Sequence, residues 1–379
     1  MVQELRPQWI DTVDGVREAA AVCRAAGLLA LDTEADSMYS YFHKVCLIQA
    51  TADGRSMVID PLALEAADLE PLWTVVGDPA VPLLMHGADY DIRVLDRDYG
   101  ARVRGLQDTQ IMAQLLGEAK TGLAALLEQE LGIHLDKKHQ RADWGRRPLT
   151  RSQVAYAAAD TAFLGELAGR LRARLEGLGR WNWAEEEFRK LEAVRFSAPE
   201  PDPLAFERLK GARALRGAAR DRLFALHAWR EGVAKDLDVP PFKVLGNQQL
   251  MALAEQPPES LAALGEVPGV GPRAVRRWGR ELLQLFESPQ PAPERARPPR
   301  TPPPPAAVRR RGQRLTAVRD EKAAELGLHP GLLCPRAVID ALAERQPPGR
   351  SRADLESAGL EGWRLEVLGP SFLEAIAGD

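Results

Sequence analysis

Cysteine is scarce in this sequence. Three cysteines occur among 379 residues, and they stand far apart without CxxC spacing: Cys23, Cys46 and Cys334. This number and spacing predict neither a disulfide framework nor a zinc site. We expect all three to be buried thiols in a protein of a reducing compartment.

Long apolar runs are also missing. No stretch approaches the roughly 18 uncharged apolar residues that a membrane-spanning helix needs, and the N-terminal residues lack the basic-then-apolar pattern of a signal peptide. The phosphate-binding pattern GxxxxGK[ST] does not occur, which argues against a helicase. We therefore expect a cytoplasmic protein that contacts no membrane and uses no nucleotide cofactor.

An excess of positive charge is lacking as well. The chain has 50 basic and 54 acidic residues, for a formal net charge of −4. Global charge thus does not predict binding of a polyanion, and any such contact must come from local basic patches.

Proline is concentrated in one place. Residues 288–305 read SPQPAPERARPPRTPPPP, which predicts an extended linker because proline lacks a backbone donor and clashes with a helical turn. A weaker boundary lies at SAPEPDP near residue 200. We expect domains at 1–197, 204–287 and 306–379.

The first domain alternates apolar runs with helical patterns. Short strand signals occur at residues 27–33, 44–49, 56–60, 82–85 and 103–106. The Asp53-Gly54 pair predicts a hairpin turn between the second and third of them. Strands paired by a hairpin and followed by βαβ units predict a mixed sheet covered by helices. The later domains show only helical periodicity.

Acidic residues stand where two of these strands end. Asp32 and Glu34 of the DTE sequence point to one face, since side chains alternate along a strand. Asp91 of HGADYD follows the fourth strand, and we favour it over Asp89, which we expect to cap the next helix. A cluster of hard oxygen ligands suits Mg²⁺ or Mn²⁺.

A third acidic element lies inside a helical pattern. Tyr156 and Asp160 in YAAAD are four residues apart and therefore share one helix face. Because the three residues between them are alanines, the helix can approach a neighbouring element closely. Taken alone, each of these signals has an ordinary structural explanation.

The order DTE, HGADYD, YAAAD resembles the three exonuclease motifs of the DEDD superfamily, and the tyrosine resembles that of its DEDDy branch. The best match is the ribonuclease D family. Further similarities are LIQ at residues 47–49, DT at 108–109 and DWGRRPL at 143–149. The resemblance implies a ribonuclease H-like fold with a five-stranded mixed sheet and flanking helices.

The same resemblance implies a mechanism. Two divalent cations, Mg²⁺ or Mn²⁺, would be held by a set of carboxylates, and a tyrosine hydroxyl would orient the attacking water. The site residues are Asp32, Glu34, Asp91, Asp160 and Tyr156. An unperturbed tyrosine pKa near 10 makes positioning a safer role than base catalysis. The expected substrate is RNA with a free 3′ end, with transfer-RNA precursors as the family implies.

Basic residues lie just before YAAAD: Lys137, Lys138, Arg141, Arg146, Arg147 and Arg151. We assign nucleic-acid contacts to Lys138, Arg141 and Arg147, together with His86 of HGADYD. Phosphate contacts of this kind set position rather than sequence choice.

The second domain resembles an HRDC domain, a helical bundle, over residues 215–286. Its PGVGP turn lets backbone amides approach a phosphate, and four arginines follow on the next helix. The third domain resembles a more diverged HRDC domain in its basic start and leucine pattern. One departure concerns the position after DTE, where the family often has an aromatic residue and this chain has Ala35.

Two alternatives remain open at this point. A 3′→5′ DNA exonuclease, acting on single-stranded DNA, would use the same acids. A catalytically inactive RNA-binding scaffold is disfavoured because every catalytic position carries the required residue type.

Overall fold

The computed structural model describes residues 5–136, 138–295 and 303–377. Lys137 and part of the proline-rich linker, residues 296–302, lie outside the described residues. The expected exonuclease region is a mixed α/β unit, and the remaining chain is helical.

One sheet contains six strands in the order β1-β4-β3-β2-β5-β6. Their bounds are β1 (Gln8–Ile10), β2 (Leu29–Ala35), β3 (Val45–Ala52), β4 (Arg55–Ile59), β5 (Leu83–Met85) and β6 (Leu106–Asp108). β2, β3 and β4 pair antiparallel, while β5 and β6 continue parallel to β2, and β1 runs parallel to β4. The expected hairpin turn is present, with φ of 48° at Asp53 and 71° at Gly54.

Helices cover both faces of the sheet. They are α1 (Val13–Ala26), α2 (Glu70–Val76), α3 (Asp89–Tyr99), α4 (Thr109–Leu115), α5 (Leu123–Leu131), α6 (Arg151–Ala162), α7 (Leu164–Gly177) and α8 (Trp181–Glu192). The first three helices pack against one face of the sheet, and α4 to α8 pack against the other.

Two helical units follow the α/β unit. The first comprises α9 (Gly217–Asp236), α10 (Pro241–Val244), α11 (Asn247–Glu255), α12 (Leu261–Gly265) and α13 (Pro272–Glu287). The second comprises α14 (Ala306–Leu326), α15 (Pro330–Leu333), α16 (Arg336–Glu344), α17 (Arg352–Ser357) and α18 (Gly362–Ala377). Pro272 occupies the first turn of α13, as expected from the PGVGP sequence.

The two helical units join the α/β unit differently. The first has a hydrophobic core of its own. The second shares one continuous core with α4, α5, α7 and α8. Trp183 of α8 stacks on Trp363 of α18 with ring centroids 4.5 Å apart, and Arg364 forms an ion pair of 2.6 Å with Glu187.

The sheet corrects our expectation of five strands. The additional strand, β1, is three residues long and follows Pro7, which is too short for a periodic pattern to reveal. The last strand begins at Leu106 and not at Val103, because Gly105 adopts a φ of 65° just before it. The long helical pattern after Thr150 is two helices, since Phe163 leaves the helical conformation. All three cysteines are buried and free, as expected.

Candidate active site

The DTE sequence lies in the second half of β2. Asp32 pairs with Gln49 of β3, and Glu34 pairs with Leu47, so both acids face the side of the sheet that α6 covers. Thr33 points to the opposite face, where its hydroxyl donates a 2.5 Å hydrogen bond to Asp91 Oδ1. The DTE sequence thus places two acids on one face of β2, and its threonine holds Asp91 by a hydrogen bond from the opposite face.

Asp91 lies in the first turn of α3 and is buried. Burial raises the pKa of its carboxyl to about 6, and the hydrogen bond from Thr33 opposes that rise. Asp89, by contrast, is exposed, and its carboxylate accepts hydrogen bonds from Nε and Nη2 of Arg93 at 2.9 and 3.0 Å. Burial and hydrogen bonding therefore favour Asp91 over Asp89 as the acid that this helix contributes to the candidate site.

The helix α6 carries Tyr156 and Asp160 above the sheet. The three alanines between these residues are at most 2% exposed, so the helix backbone lies directly against β2, β3 and β4. Burial raises the pKa of Asp160 to about 7. The Tyr156 ring stacks on Trp144, with ring centroids 6.1 Å apart, and meets the edge of His139.

Electrostatic effects among these groups show that they form one cluster. Burial raises the pKa of Asp32 well above its usual range, and the charges of Asp91, Asp160 and Glu34 raise it further. Burial together with Asp160 and Asp91 raises the pKa of Glu34 to about 9. The pKa of Tyr156 is raised by burial and then by Asp160, Glu34 and Asp32.

This donor set fits divalent metal ions. Carboxylates that repel one another in a partly buried site are stabilised by a bound cation, and oxygen ligands are those that hard cations prefer. Within the described part of the chain, however, no three acidic, histidine or cysteine side chains converge closely enough to enclose an ion. Binding of an ion would therefore require the carboxylates to turn toward a common point.

Asp108, at the end of β6, organises the neighbouring turn. Its buried carboxylate accepts backbone N–H bonds from Gly87 at 3.1 Å, Ala88 at 2.8 Å and Gln110 at 2.7 Å. It thereby caps α4 and holds the turn that leads from β5 into α3 and Asp91. The DT similarity at residues 108–109 pointed to this position, but its role depends on contacts that the sequence does not reveal.

His86 lies in the same turn. Its Nδ1 is 2.9 Å from the Thr109 hydroxyl, and the Thr121 backbone also interacts with the imidazole. Burial lowers the pKa of the imidazole. His86, Tyr156 and Asp160 line one cavity of about 320 Å³.

The basic residues before α6 separate into two groups. Lys138 and Arg141 are exposed, and Lys138 lines a cavity of about 500 Å³ that also contains Tyr156 and Asp160. Arg147 instead forms a bidentate ion pair with Asp60, at 2.6 Å for each bond, and donates to the carbonyls of Cys46 and Trp144. Its guanidinium ties the DWGRRPL segment to the sheet, a role that disagrees with our assignment of Arg147 as a nucleic-acid contact.

The loop after the DTE sequence reaches the first helical unit. Tyr39 lies under the Lys243 ammonium, which is 4.3 Å from the ring centroid, and its hydroxyl donates to the Arg141 carbonyl at 2.9 Å. The Phe42 amide donates to Asp238 at 2.9 Å. The aromatic residues that follow Ala35 therefore connect the catalytic unit to α9 and α10.

Family comparisons agree with this geometry. A family model described as 3′-5′ exonuclease matches residues 7–176, and an HRDC-domain model matches residues 219–286 and 309–376. The fold and the site thus define a 3′→5′ exonuclease joined to HRDC domains.

Relatives cover nearly the whole chain. Ribonuclease D of Acidiphilium cryptum is 32% identical over 98% of this chain and 93% of its own length. The crystal structure of Escherichia coli RNase D superimposes with a TM-score of 0.67 and 26% identity over 99% of both chains. The catalytic core of RRP6 from Trypanosoma brucei gives a TM-score of 0.69 and 27% identity over 75% of this chain and 79% of that one.

The chain belongs to the ribonuclease D family and is a 3′→5′ exoribonuclease that hydrolyses phosphodiester bonds. Dependence on divalent metal ions comes with this exonuclease family. Among the described residues, no helix has the length and apolar character to cross a bilayer.

Proposed function

We propose that Asp32, Glu34, Asp91 and Asp160 hold two divalent cations and that Tyr156 positions the attacking water. The products would be nucleoside 5′-monophosphates released from the 3′ end of RNA. The observation that carries this proposal is that α6 covers the face of β2 from which both DTE acids project, which places Asp160 above them. The charges of neighbouring acids raise the pKa values of Asp32 and Glu34, and cations bound between the acids would relieve that repulsion.

The chemistry divides between the ions and the chain. Two bound cations would activate water and stabilise the leaving 3′ oxygen in an in-line displacement. Burial and neighbouring acids keep the Tyr156 phenol protonated at neutral pH. The hydroxyl therefore serves as a hydrogen-bonding group that orients water rather than as a base.

The choice of ion is Mg²⁺ or Mn²⁺. Both accept carboxylate oxygen ligands in octahedral sites, and the four acids of the proposed site supply oxygen ligands only.

The RNA 3′ end would approach the acids past His86 and Lys138, each of which lines a cavity that also contains Tyr156 and Asp160. The position of His86 in this cavity suits a contact with the terminal nucleotide. Arg141 is exposed three residues beyond Lys138 and suits a phosphate. We leave Arg147 out of this surface because its donors are occupied.

A second basic surface lies on α13. Its exposed arginines are spaced on one helix face, and no ion pair is observed for them in the described chain: Arg273, Arg276, Arg277 and Arg280. The opposite face is anchored by Leu282 in the core of the unit. This face suits the phosphates of RNA upstream of the 3′ end.

The physiological substrates would be the 3′ ends of transfer-RNA precursors and other structured RNAs, in the cytoplasm. The Escherichia coli relative is described as an exoribonuclease involved in structured RNA processing. The proposed domain limits are 1–197 for the exonuclease domain, 204–287 for the first HRDC domain and 306–379 for the second.

The test compares 3′-extended transfer RNA, unstructured RNA and single-stranded DNA of matched length, each with Mg²⁺, Mn²⁺ or a chelator. We expect stepwise shortening of RNA with either ion, no reaction with chelator and the fastest trimming on extended transfer RNA. Preference for DNA would favour the DNA exonuclease alternative. Inactivity with both ions would favour an RNA-binding scaffold.

A further inference from the structure

Gln49 is a buried polar residue without hydrogen bonds. It lies in the middle of β3, its side chain is 0% exposed, and neither Oε1 nor Nε2 has a partner among the described residues. A buried amide without partners destabilises a folded protein, whereas an apolar side chain of similar shape would not. Such a group calls for a reason other than packing.

The position of Gln49 relates it to the acids. In the antiparallel pair of β2 and β3, Gln49 stands directly opposite Asp32. Directly opposed side chains project from the same face of a sheet, with Cβ atoms about 4.5–5.5 Å apart. The Gln49 amide therefore lies beside the Asp32 carboxylate and not on the far side of the sheet.

The residues before and after Gln49 on that face locate it under α6. Leu47 packs in one cluster with Ala157 and Ala158. The Thr51 hydroxyl is 2.8 Å from that of Thr161. Gln49 lies between these two contacts, beneath the part of the helix that leads to Asp160.

We propose that Gln49 is a positioning residue for the catalytic carboxylates. In the metal-bound arrangement its Nε2 donates to the Asp32 carboxylate and turns it toward Glu34 and Asp160. This inference rests on the proposed function of the four acids. It gives the Gln49 amide a partner that appears only when the carboxylates converge on an ion, which explains why a polar side chain occupies a fully buried position.

Substitution Gln49→Met tests this role, because methionine is apolar and close to glutamine in shape. In the presence of a chelator, we expect Gln49→Met to melt at the same temperature as the wild type or higher, since the substitution removes an unpaired amide. We expect its affinity for Mn²⁺, measured by isothermal titration calorimetry, to fall roughly tenfold. The kcat on RNA should fall, with KM nearly unchanged.

Thr51→Val is the matched control on the same strand and face. Because the Thr51 hydroxyl is hydrogen bonded, we expect this variant to lose stability and to keep wild-type affinity for Mn²⁺. Wild-type Mn²⁺ affinity in Gln49→Met would overturn the proposal. The proposal would also be overturned if, in the presence of chelator, the melting temperature of Gln49→Met fell as far as that of Thr51→Val.

Asp32→Asn separates this inference from the proposed function. If the wild type binds Mn²⁺ and Asp32→Asn does not, the carboxylate site stands, and the behaviour of Gln49→Met decides the role of Gln49 alone. If the wild type does not bind Mn²⁺, or Asp32→Asn binds it as the wild type does, the proposed function itself fails.

Discussion

At the scale of single residues, burial distinguishes acids that are close in sequence. Asp91 is buried and accepts a hydrogen bond from the Thr33 hydroxyl, whereas Asp89 is exposed and forms an ion pair with Arg93. A buried carboxylate without a basic partner is stabilised by a nearby cation, whereas an exposed ion pair of this kind contributes little to stability.

Asp91→Asn and Asp89→Asn form a matched pair for this distinction. We expect Asp91→Asn to lower kcat/KM on RNA by roughly 100-fold or more, because a carboxylate of the metal cluster is lost. Asp89→Asn should stay within about twofold of the wild type, since an exposed ion pair has little effect. Steady-state rates on one labelled RNA check both, and a reversed order would transfer the role to Asp89.

Tyr156 offers a second test at this scale. Its raised pKa keeps the phenol protonated through the neutral range, so we expect Tyr156→Phe to lower kcat about tenfold without changing the shape of the pH profile. Rates from pH 6 to 9 in both proteins provide the measurement. An alkaline rise present in the wild type and missing in the variant would instead identify the phenolate as a base.

At the scale of helices and strands, the site depends on three elements that meet. The spacing of the DTE and YAAAD acids predicted which faces of β2 and α6 carry them, because strand and helix periods are local properties. The contacts between elements were not predictable in this way. The Thr33–Asp91 bond joins residues 58 positions apart, and the Asp108 carboxylate holds the turn that carries Asp91.

Some elements were also beyond the reach of pattern analysis. β1 is three residues long, and its place at the sheet edge beside β4 depends on a parallel pairing with a distant segment. Arg147 lay in a basic run and so resembled a phosphate contact. Its bidentate bond to Asp60, 87 positions away, depends on the folded sheet.

The convergence of these elements predicts a dependence of stability on pH. The folded-state pKa values of Asp91, Asp160 and Glu34, about 6, 7 and 9, all lie above their ordinary values. The folded state therefore binds more protons than the unfolded state in this range, and stability falls as pH rises from about 4 to 9. We expect the chelated protein to melt at a lower temperature at pH 9 than at pH 6.

Added Mg²⁺ should raise the melting temperature more at pH 9 than at pH 6, since cations bind deprotonated carboxylates. Thermal melts with chelator or Mg²⁺ at both pH values give the answer, and Glu34→Gln should flatten the dependence. Equal melting temperatures of the chelated wild type at both pH values would contradict the electrostatic description of the site.

At the scale of the whole molecule, the two HRDC domains differ. The second shares its core with α4 to α8 and stacks Trp363 on Trp183, so it supports the catalytic unit. The first has a separate core, meets the loop after the DTE sequence and exposes the arginines of α13. We therefore expect the exposed arginines of the first domain to contact RNA.

The double substitution Arg276→Gln and Arg280→Gln tests this surface. Each lost phosphate contact should reduce the slope of log affinity against log salt by about 0.7 to 0.9. Filter binding of one RNA at several salt concentrations measures that slope. Arg336→Gln is the control, because Arg336 is exposed but already paired with Asp340. An unchanged slope in the double variant would remove α13 from the binding surface.

The central claim is that carboxylates on three elements, β2, α3 and α6, make this chain a metal-dependent 3′→5′ exoribonuclease. The most direct measurement follows 5′-labelled RNA with Mg²⁺ in the presence of wild type or Asp160→Asn, with thermal melts to verify that both are folded. We predict a ladder that shortens from the 3′ end for the wild type and intact RNA for the variant. Degradation by Asp160→Asn at the wild-type rate would contradict the claim.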